Sequence, residues 1–153
     1  MPTVIEVVTS IAAPPERVFD LELDMDAHSA SLAASGETAV TSHGGPVLAL
    51  GDEVTFTARH FGLPWRMTSR VEEYQRPTRF VDAQVRGPFK AMSHEHLFEA
   101  APDGSTVMTD RITVTAPLGP LGALAERLLL SGYMRRLLVA RAAHIKSTAE
   151  SQG

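Results

Sequence analysis

The strongest constraint on this chain is the regular spacing of turn residues through its middle part. Between residues 37 and 116, glycine and proline recur between short strand-like segments. The predicted strands cover residues 37–43, 53–60, 65–75, 79–86, 90–99 and 105–116. Short strands with tight connections are typical of an antiparallel meander.

The two ends of the chain have a different residue pattern from the middle part. Residues 3–11 are β-branched and partly alternating, which predicts a first strand. Pro15 favours the first turn of a short helix that runs to about Leu21, and Asp24 or Asp26 can cap a second one through about Ala34. After a break at residues 117–122, the chain from Leu121 to about Lys146 lacks proline and predicts one long helix.

The predicted order is one strand, two short helices, six strands and a long helix. This order indicates an α+β fold in which a curved seven-stranded antiparallel sheet surrounds the C-terminal helix. One helix cannot fill the whole concavity of a strongly twisted sheet, so an internal cavity is expected. With 153 residues, we expect a single domain over residues 1–146 and a flexible tail over 147–153.

Composition excludes several classes of site and partner. The chain has no cysteine, so disulfides and thiolate chemistry are excluded. Its net charge of −4 argues against nucleic-acid binding. The first residues lack the pattern of a signal peptide, and no apolar run approaches the roughly 20 residues of a membrane span. A cytoplasmic protein is expected.

Short motifs along nearly the whole chain carry a resemblance to a known superfamily. They occupy residues 13–19 (APPERVF), 51–54 (GDEV), 59–62 (RHFG), 87–89 (GPF), 94–98 (HEHLF) and 117–122 (PLGPLG). On these motifs the chain resembles the SRPBCC or helix-grip superfamily, which includes START domains, Bet v 1 and polyketide cyclases. It looks closest to the bacterial cyclase/dehydrase-like and ligand-binding branch. The resemblance implies the helix-grip fold and a ligand among lipids, polyketides or quinone-like molecules, and in some members catalysis of cyclisation or dehydration.

Alternation along the strands places the candidate polar residues inside the sheet. Met92, His94, His96 and Phe98 share one face of their strand, and Asp110 lies on the more apolar face of the next one. If the turn at Asp103-Gly104 is longer than two residues, His96 lies beside or diagonal to Asp110. Such pairing would orient the imidazole and raise its basicity, as in a general base.

These polar residues allow several interpretations. The first is a structural network in which His94, His96 and Asp110 satisfy one another, with help from Gln84 or Arg59. The second is an anchor for the polar end of a ligand. The third is acid–base catalysis by His96 and Asp110. His94 and His96 with Asp110 also have the residue types of a facial metal triad, but we expect neither a metal nor a cofactor.

Apolar side chains are predicted to form the cavity wall, although each is individually compatible with plain core. The predicted wall residues are Phe56, Phe61, Trp65, Met67, Phe89, Met92 and Met108 from the sheet, with Leu124, Leu128 and Tyr133 from the last helix. Phe61 and Trp65 flank a turn that is predicted to form the mouth.

The last helix is basic through Arg127, Arg135, Arg136, Arg141 and Lys146. Such residues usually form a solvated face, and the alternatives are an acidic carrier-protein partner or a homodimer contact. Three functions therefore stay open. The leading hypothesis is binding of a hydrophobic or aromatic small molecule, the next is a polyketide cyclase or dehydratase, and the third is an interaction module with a vestigial cavity.

Overall fold

The computed structural model describes residues 2–31, 36–117, 119–125 and 130–152. It contains the predicted order of strands and helices. The strands are β1 (Thr3–Ile11), β2 (Thr38–Thr41), β3 (Glu53–His60), β4 (Leu63–Gln75), β5 (Arg79–Arg86), β6 (Ala91–Ala100) and β7 (Thr106–Thr115). The helices are α1 (Pro15–Glu22), α2 (Met25–Ser31), α3 (Gly119–Ala125) and α4 (Ser131–Ser151).

The seven strands form one antiparallel sheet in the order β1-β7-β6-β5-β4-β3-β2. Consecutive strands from β2 to β7 are neighbours, as in a meander, and β1 closes the order by pairing with β7. Alternate residues of β7 are buried, so one face of the sheet is covered by the helices and the other is solvated. The predicted helix-grip fold is confirmed.

The connection between β6 and β7 sets which side chains face the interior. Ala100 pairs with Thr106, so residues 101–105 form a five-residue loop rather than a two-residue turn. Even-numbered residues therefore stay opposite even-numbered residues, and His96 lies directly opposite Asp110. The conditional prediction about this pair is confirmed.

The C-terminal region contains the long helix that the sequence predicts. Helices α3 and α4 account for most of the predicted span from Leu121 to Lys146, and residues 126–129 lie outside the described part of the chain. Helix α4 also extends to Ser151, five residues beyond the predicted end, because Ala149 is fully buried and its carbonyl accepts a hydrogen bond from Arg17 Nη1 at 3.1 Å. The residues predicted as a tail are thus helical to that point.

The main hydrophobic core lies between the sheet, α1 and the C-terminal half of α4. Pro14 and Pro15 begin α1 in the manner predicted, with Pro14 extended at the N-cap. This places Phe19 at the centre of the core, with no exposed surface. Its ring makes edge-to-face contacts at 5.3–5.4 Å with three aromatic rings, those of Tyr74, Phe80 and Phe98.

Among the described residues, no helix has the length and hydropathy needed to cross a membrane.

Because Phe19 joins α1 to the sheet, its truncation should be costly. We expect Phe19→Ala to lower the free energy of unfolding by about 3–5 kcal/mol, the range for deletion of a buried phenyl ring. Urea denaturation followed by circular dichroism measures this. The control is Val8→Ala, because Val8 is 59% exposed, and it should cost less than about 1 kcal/mol. Equal losses for the two variants would contradict the placement of the core.

Candidate ligand cavity and its buried ion cluster

A cavity of about 230 Å³ lies between the concave face of the sheet and helix α4. Most of its wall is apolar. The apolar lining includes Leu23, Met25, Leu48, Val54, Phe56, Ala58, Trp65, Met67, Val71, Phe80, Phe89, Met92, Ile112, Met134 and Leu138. The expected space under the last helix is therefore present.

The β3–β4 hairpin contributes His60, Phe61 and Trp65 to the cavity wall. His60 pairs with Leu63, which leaves Phe61 and Gly62 as a two-residue turn, and both have positive φ angles, 54° and 73°. Positive φ at both central residues is the pattern of a type I′ turn. The Phe61 ring is 56% exposed and lies 4.6 Å from the ring of Tyr133 on α4, while His60 Nδ1 and the Tyr133 hydroxyl are 2.6 Å apart. Phe61 and Trp65, which the sequence predicts at the mouth, thus both line the cavity.

A set of polar and charged side chains lines another part of the wall. It comprises Glu22, His28, Glu37, Ser69, Asp82, His94 and Arg141. These residues come from α1, α2, the segment before β2, and β4, β5, β6 and α4. Polar groups from many elements thus converge in an otherwise apolar chamber, as in small-molecule sites.

His94 is the histidine of β6 that contacts the cavity. Its Nε2 lies 3.1 Å from Asp110 Oδ1, and both side chains are buried. Burial lowers the pKa of His94, and the neighbouring charge of His96 lowers it further, so the ring is neutral near pH 7. With Nε2–H donated to Asp110, the Nδ1 lone pair is the basic atom of this imidazole.

His96 lies behind the wall and does not line the cavity, contrary to prediction. It is 1% exposed, and its ring stacks on Phe80 at 4.0 Å and on His94 at 3.7 Å. Two neighbouring side chains, Phe80 and His94, therefore lie on the wall in its place.

Three carboxylates surround the His96 imidazole. Nδ1 is 2.9 Å from Glu22 Oε2 and 3.1 Å from Asp110 Oδ1, and Nε2 is 2.8 Å from Asp82 Oδ1. Burial alone would lower the pKa of His96, but the hydrogen bonds to Asp110, Asp82 and Glu22 outweigh it and hold this pKa well above 6.5. His96 is therefore an imidazolium at neutral pH.

Helix α4 adds a second buried cation to this group. Arg141 is 8% exposed, its Nη2 lies 3.2 Å from Glu22 Oε2, and it also reaches the Glu22 carbonyl at 3.3 Å. The sequence interpretation of Arg141 as part of a solvated basic face is wrong. Together Glu22, Asp82, His96, Asp110 and Arg141 form what we call the ion cluster.

A second buried pair adjoins the ion cluster. His28 Nδ1 and Glu37 Oε1 are 2.5 Å apart, with side-chain exposures of 10% and 6%. Burial lowers the pKa of His28, and the charge of Arg141 acts in the same direction, ahead of the opposing effect of Glu37. His28 also stacks on Phe56 at 4.6 Å.

Three buried polar atoms in this region lack a hydrogen-bond partner among the described residues. They are Glu22 Oε1, Ser69 Oγ and Arg141 Nε. All three side chains line the cavity. Because an unpaired buried polar atom costs about 1–3 kcal/mol, these atoms indicate where a polar group of a ligand or a water would be stabilised.

Two sets of side chains have the residue types and spacing to hold a metal ion. One is Asp82, His94 and His96, and the other is Glu22, His96 and Asp110; within each, one ligand atom per residue lies within 4.8 Å of the others. The same distances fit a protonated His96, which donates its Nε2–H to Asp82 and shares its Nδ1–H between Glu22 and Asp110.

The structure brings together most of the predicted ligand-binding residues. Those that line the cavity are Phe56, Phe61, Trp65, Met67, Phe89, Met92, His94 and Tyr133. Leu128 lies outside the described residues.

The remaining predicted residues do not line the cavity, for identifiable reasons. Met108 is fully buried in the core beside α1, and Leu124 is 53% exposed. Gln84 donates from Nε2 to the Phe89 carbonyl at 2.8 Å and packs on Gly87, where a Cβ would lie 2.4 Å from Gln84 Oε1. His96 and Asp110 lie behind the side chains that line the cavity.

Sequence reasoning missed Glu22, Asp82 and Arg141. A signal existed for Arg141, which lies three residues after Leu138 and four before Ile145, on the same helical stripe as these buried residues. Glu22 likewise follows Val18 by four residues on the buried side of α1. Asp82 is opposite His94 on the neighbouring strand, a pairing that the hairpin register determines.

Comparison with known proteins agrees with this architecture. The family described as "Polyketide cyclase / dehydrase and lipid transport" matches residues 2–150. No protein of curated function matches the chain.

Solved structures share the fold at low sequence identity. The Zhui aromatase/cyclase from Streptomyces sp. R1128 superposes with a TM-score of 0.79 at 17% identity, over 98% of this chain and 94% of that one. A protein from Thermus thermophilus gives 0.75 at 18% identity, over 96% and 99%. Norcoclaurine synthase from Thalictrum flavum gives 0.75 at 13% identity, over 99% and 96%.

Because these identities are below 25%, the solved structures establish the fold alone. The family match covers almost the entire chain. The chain therefore belongs to the polyketide cyclase/dehydrase and lipid transport family.

Proposed function

We propose that this protein binds a compact hydrophobic or aromatic small molecule in its internal cavity. The observation that carries the proposal is the combination of an apolar chamber with polar side chains at one part of its wall. Apolar walls provide affinity, and a few polar groups fix the orientation of a ligand.

The size of the cavity narrows the ligand class. At about 230 Å³ it is smaller than the roughly 300–1,000 Å³ of pockets that hold drug-sized ligands. A molecule of one or two fused rings fits this volume better than a long acyl chain. The methionines on the wall, Met25, Met67, Met92 and Met134, can adapt to the outline of such a ligand.

A second candidate function, acid–base catalysis of cyclisation or dehydration, is supported by His94. Its ring contacts the cavity, its Nε2 is oriented by Asp110, and its lowered pKa keeps it neutral and able to accept a proton. His94 with Asp110 therefore replaces the pair His96 and Asp110 as the candidate proton-transfer group, because His96 does not reach the chamber.

Binding can be tested with the neutral fluorescent probe N-phenyl-1-naphthylamine. We expect saturable one-to-one binding by fluorescence titration. Ala58→Leu should weaken it by about tenfold or more, because Ala58 lines the cavity and added methyl groups occupy its space. Ala83→Leu is the matched control, since Ala83 lies one strand position from Asp82 on the opposite face of the sheet, and it should leave the affinity unchanged. Equal weakening by both variants, or no saturable binding, would reject the cavity as the binding site.

Catalysis can be tested with a model β-diketone, 1-(2-hydroxyphenyl)-1,3-butanedione. Its cyclisation forms a C–O bond between the phenol and the distant carbonyl and then loses water to give 2-methylchromone. We expect the protein to accelerate this reaction, and His94→Gln to reduce the acceleration by about 10² or more, the usual contribution of a general base. The absorbance of the chromone gives the rate.

The pH dependence of the activity distinguishes His94 from a histidine with the usual pKa. Because the pKa of His94 is lowered, its basic form persists as pH falls to 6.5, and activity should decline only below that value. His43→Gln is the control, since His43 is an exposed histidine on the loop between β2 and β3. An unchanged rate in His94→Gln would dispose of the catalytic candidate and leave the binding proposal intact.

A further inference from the structure

The ion cluster holds more carboxylates than cations. Glu22, Asp82 and Asp110 contribute three negative charges, and His96 and Arg141 contribute two positive ones. The ion-pair distances among them run from 2.8 to 3.2 Å, so one connected group is left with a net charge of −1. A buried net charge is unfavourable unless a partner of opposite charge is supplied.

The adjoining pair adds to this excess. Glu37 lines the same cavity and is partnered by His28, whose buried ring has a lowered pKa and is neutral near pH 7. His94, the other histidine on this wall, is neutral for the same reason. The polar part of the cavity wall therefore carries more negative than positive charge.

Two carboxylates of the cluster retain capacity to accept hydrogen bonds. Glu22 is fully buried, and its Oε1 has no partner among the described residues. Asp82 uses Oδ1 for His96, and its side chain is 19% exposed while lining the cavity. Asp82 is thus the charged acceptor that a ligand in the chamber can reach most readily.

The surroundings of Asp82 determine how strongly a polar group of the ligand would bind to it. Phe80 and Val71 also line it and lie on the two strands that hold or pair with Asp82. A group that binds Asp82 is therefore surrounded by apolar surface, where a charge-assisted hydrogen bond is stronger than in water.

We propose that the cavity selects a compact apolar or aromatic molecule that carries a protonated amino group, and that this group binds the Asp82 carboxylate. The inference rests on the proposed binding function and deepens it by naming the class of ligand. A neutral hydroxyl group could also donate to Asp82, but it would leave the excess negative charge of the cluster uncompensated.

Three probes with the same ring system test this inference. They are 1-naphthylmethylamine, 1-naphthalenemethanol and 1-naphthoic acid, which at pH 7 carry charges of about +1, 0 and −1 on a similar framework. By isothermal titration calorimetry at one ionic strength, we expect the amine to bind about tenfold or more tightly than the alcohol, and the acid to bind most weakly.

Asp82→Asn is the decisive variant, because it keeps the shape of the side chain and removes its charge. It should bring the amine and the alcohol to nearly equal affinity, mainly because the amine binds more weakly. The affinity for the alcohol also reports whether the cavity is intact. Asp20→Asn is the matched control, since Asp20 is a surface residue paired with Arg76 and its replacement changes the net charge equally.

The outcomes separate this inference from the proposed function. If the alcohol binds one-to-one and the amine binds no better, the amine preference is wrong and the binding function stands. If the preference survives in Asp82→Asn, the assignment to Asp82 is wrong. If none of the three probes binds, both the inference and the proposed function fail.

Discussion

The ion cluster is the interaction that ties the helices to the sheet around the cavity. Glu22 comes from the end of α1, Arg141 from α4, His96 from β6 and Asp110 from β7, and each is buried. Removing a cation, His96 or Arg141, would add to the uncompensated negative charge of this group, at a cost of about 3–5 kcal/mol. Replacing a whole buried ion group with well-packed apolar residues is often no less stable. Stability alone therefore does not account for the cluster, which agrees with the role in ligand binding that we propose for it.

His94 and His96 are both buried, yet their pKa shifts are opposite, because His96 contacts three carboxylates and His94 is hydrogen-bonded to only one. His94 and His96 share a face of β6, yet only His94 reaches the chamber, and its pKa is lowered while that of His96 is raised. The fixed imidazolium of His96 helps to keep His94 neutral, and Asp110 bonds to both rings. Burial of His94 is thus the main cause of its lowered pKa, and the charge of His96 lowers this pKa further.

Local patterns in the sequence were sufficient for the fold and for part of the site. Turn spacing predicted the meander, and residue parity across the β6–β7 loop predicted that His96 would lie opposite Asp110. Neither could reveal that Glu22 and Arg141 meet across 119 positions, because charged residues are normally assigned to solvent. Alternation also could not distinguish wall residues from core residues. Met108 and Met92 occupy equivalent faces of neighbouring strands, but Met108 is fully buried in the main core and Met92 lines the cavity.

Helix α4 contacts both the ion cluster and the β3–β4 turn. Arg141 joins the ion cluster, and Tyr133, eight positions earlier and about 12 Å away along the helix, contacts the β3–β4 turn. At that turn Phe61, a non-glycine residue, has a positive φ, a conformation that costs of order 1–3 kcal/mol and needs support from its surroundings. The contacts with Tyr133 are part of that support. The β3–β4 turn and the ion cluster are therefore attached to different turns of one helix.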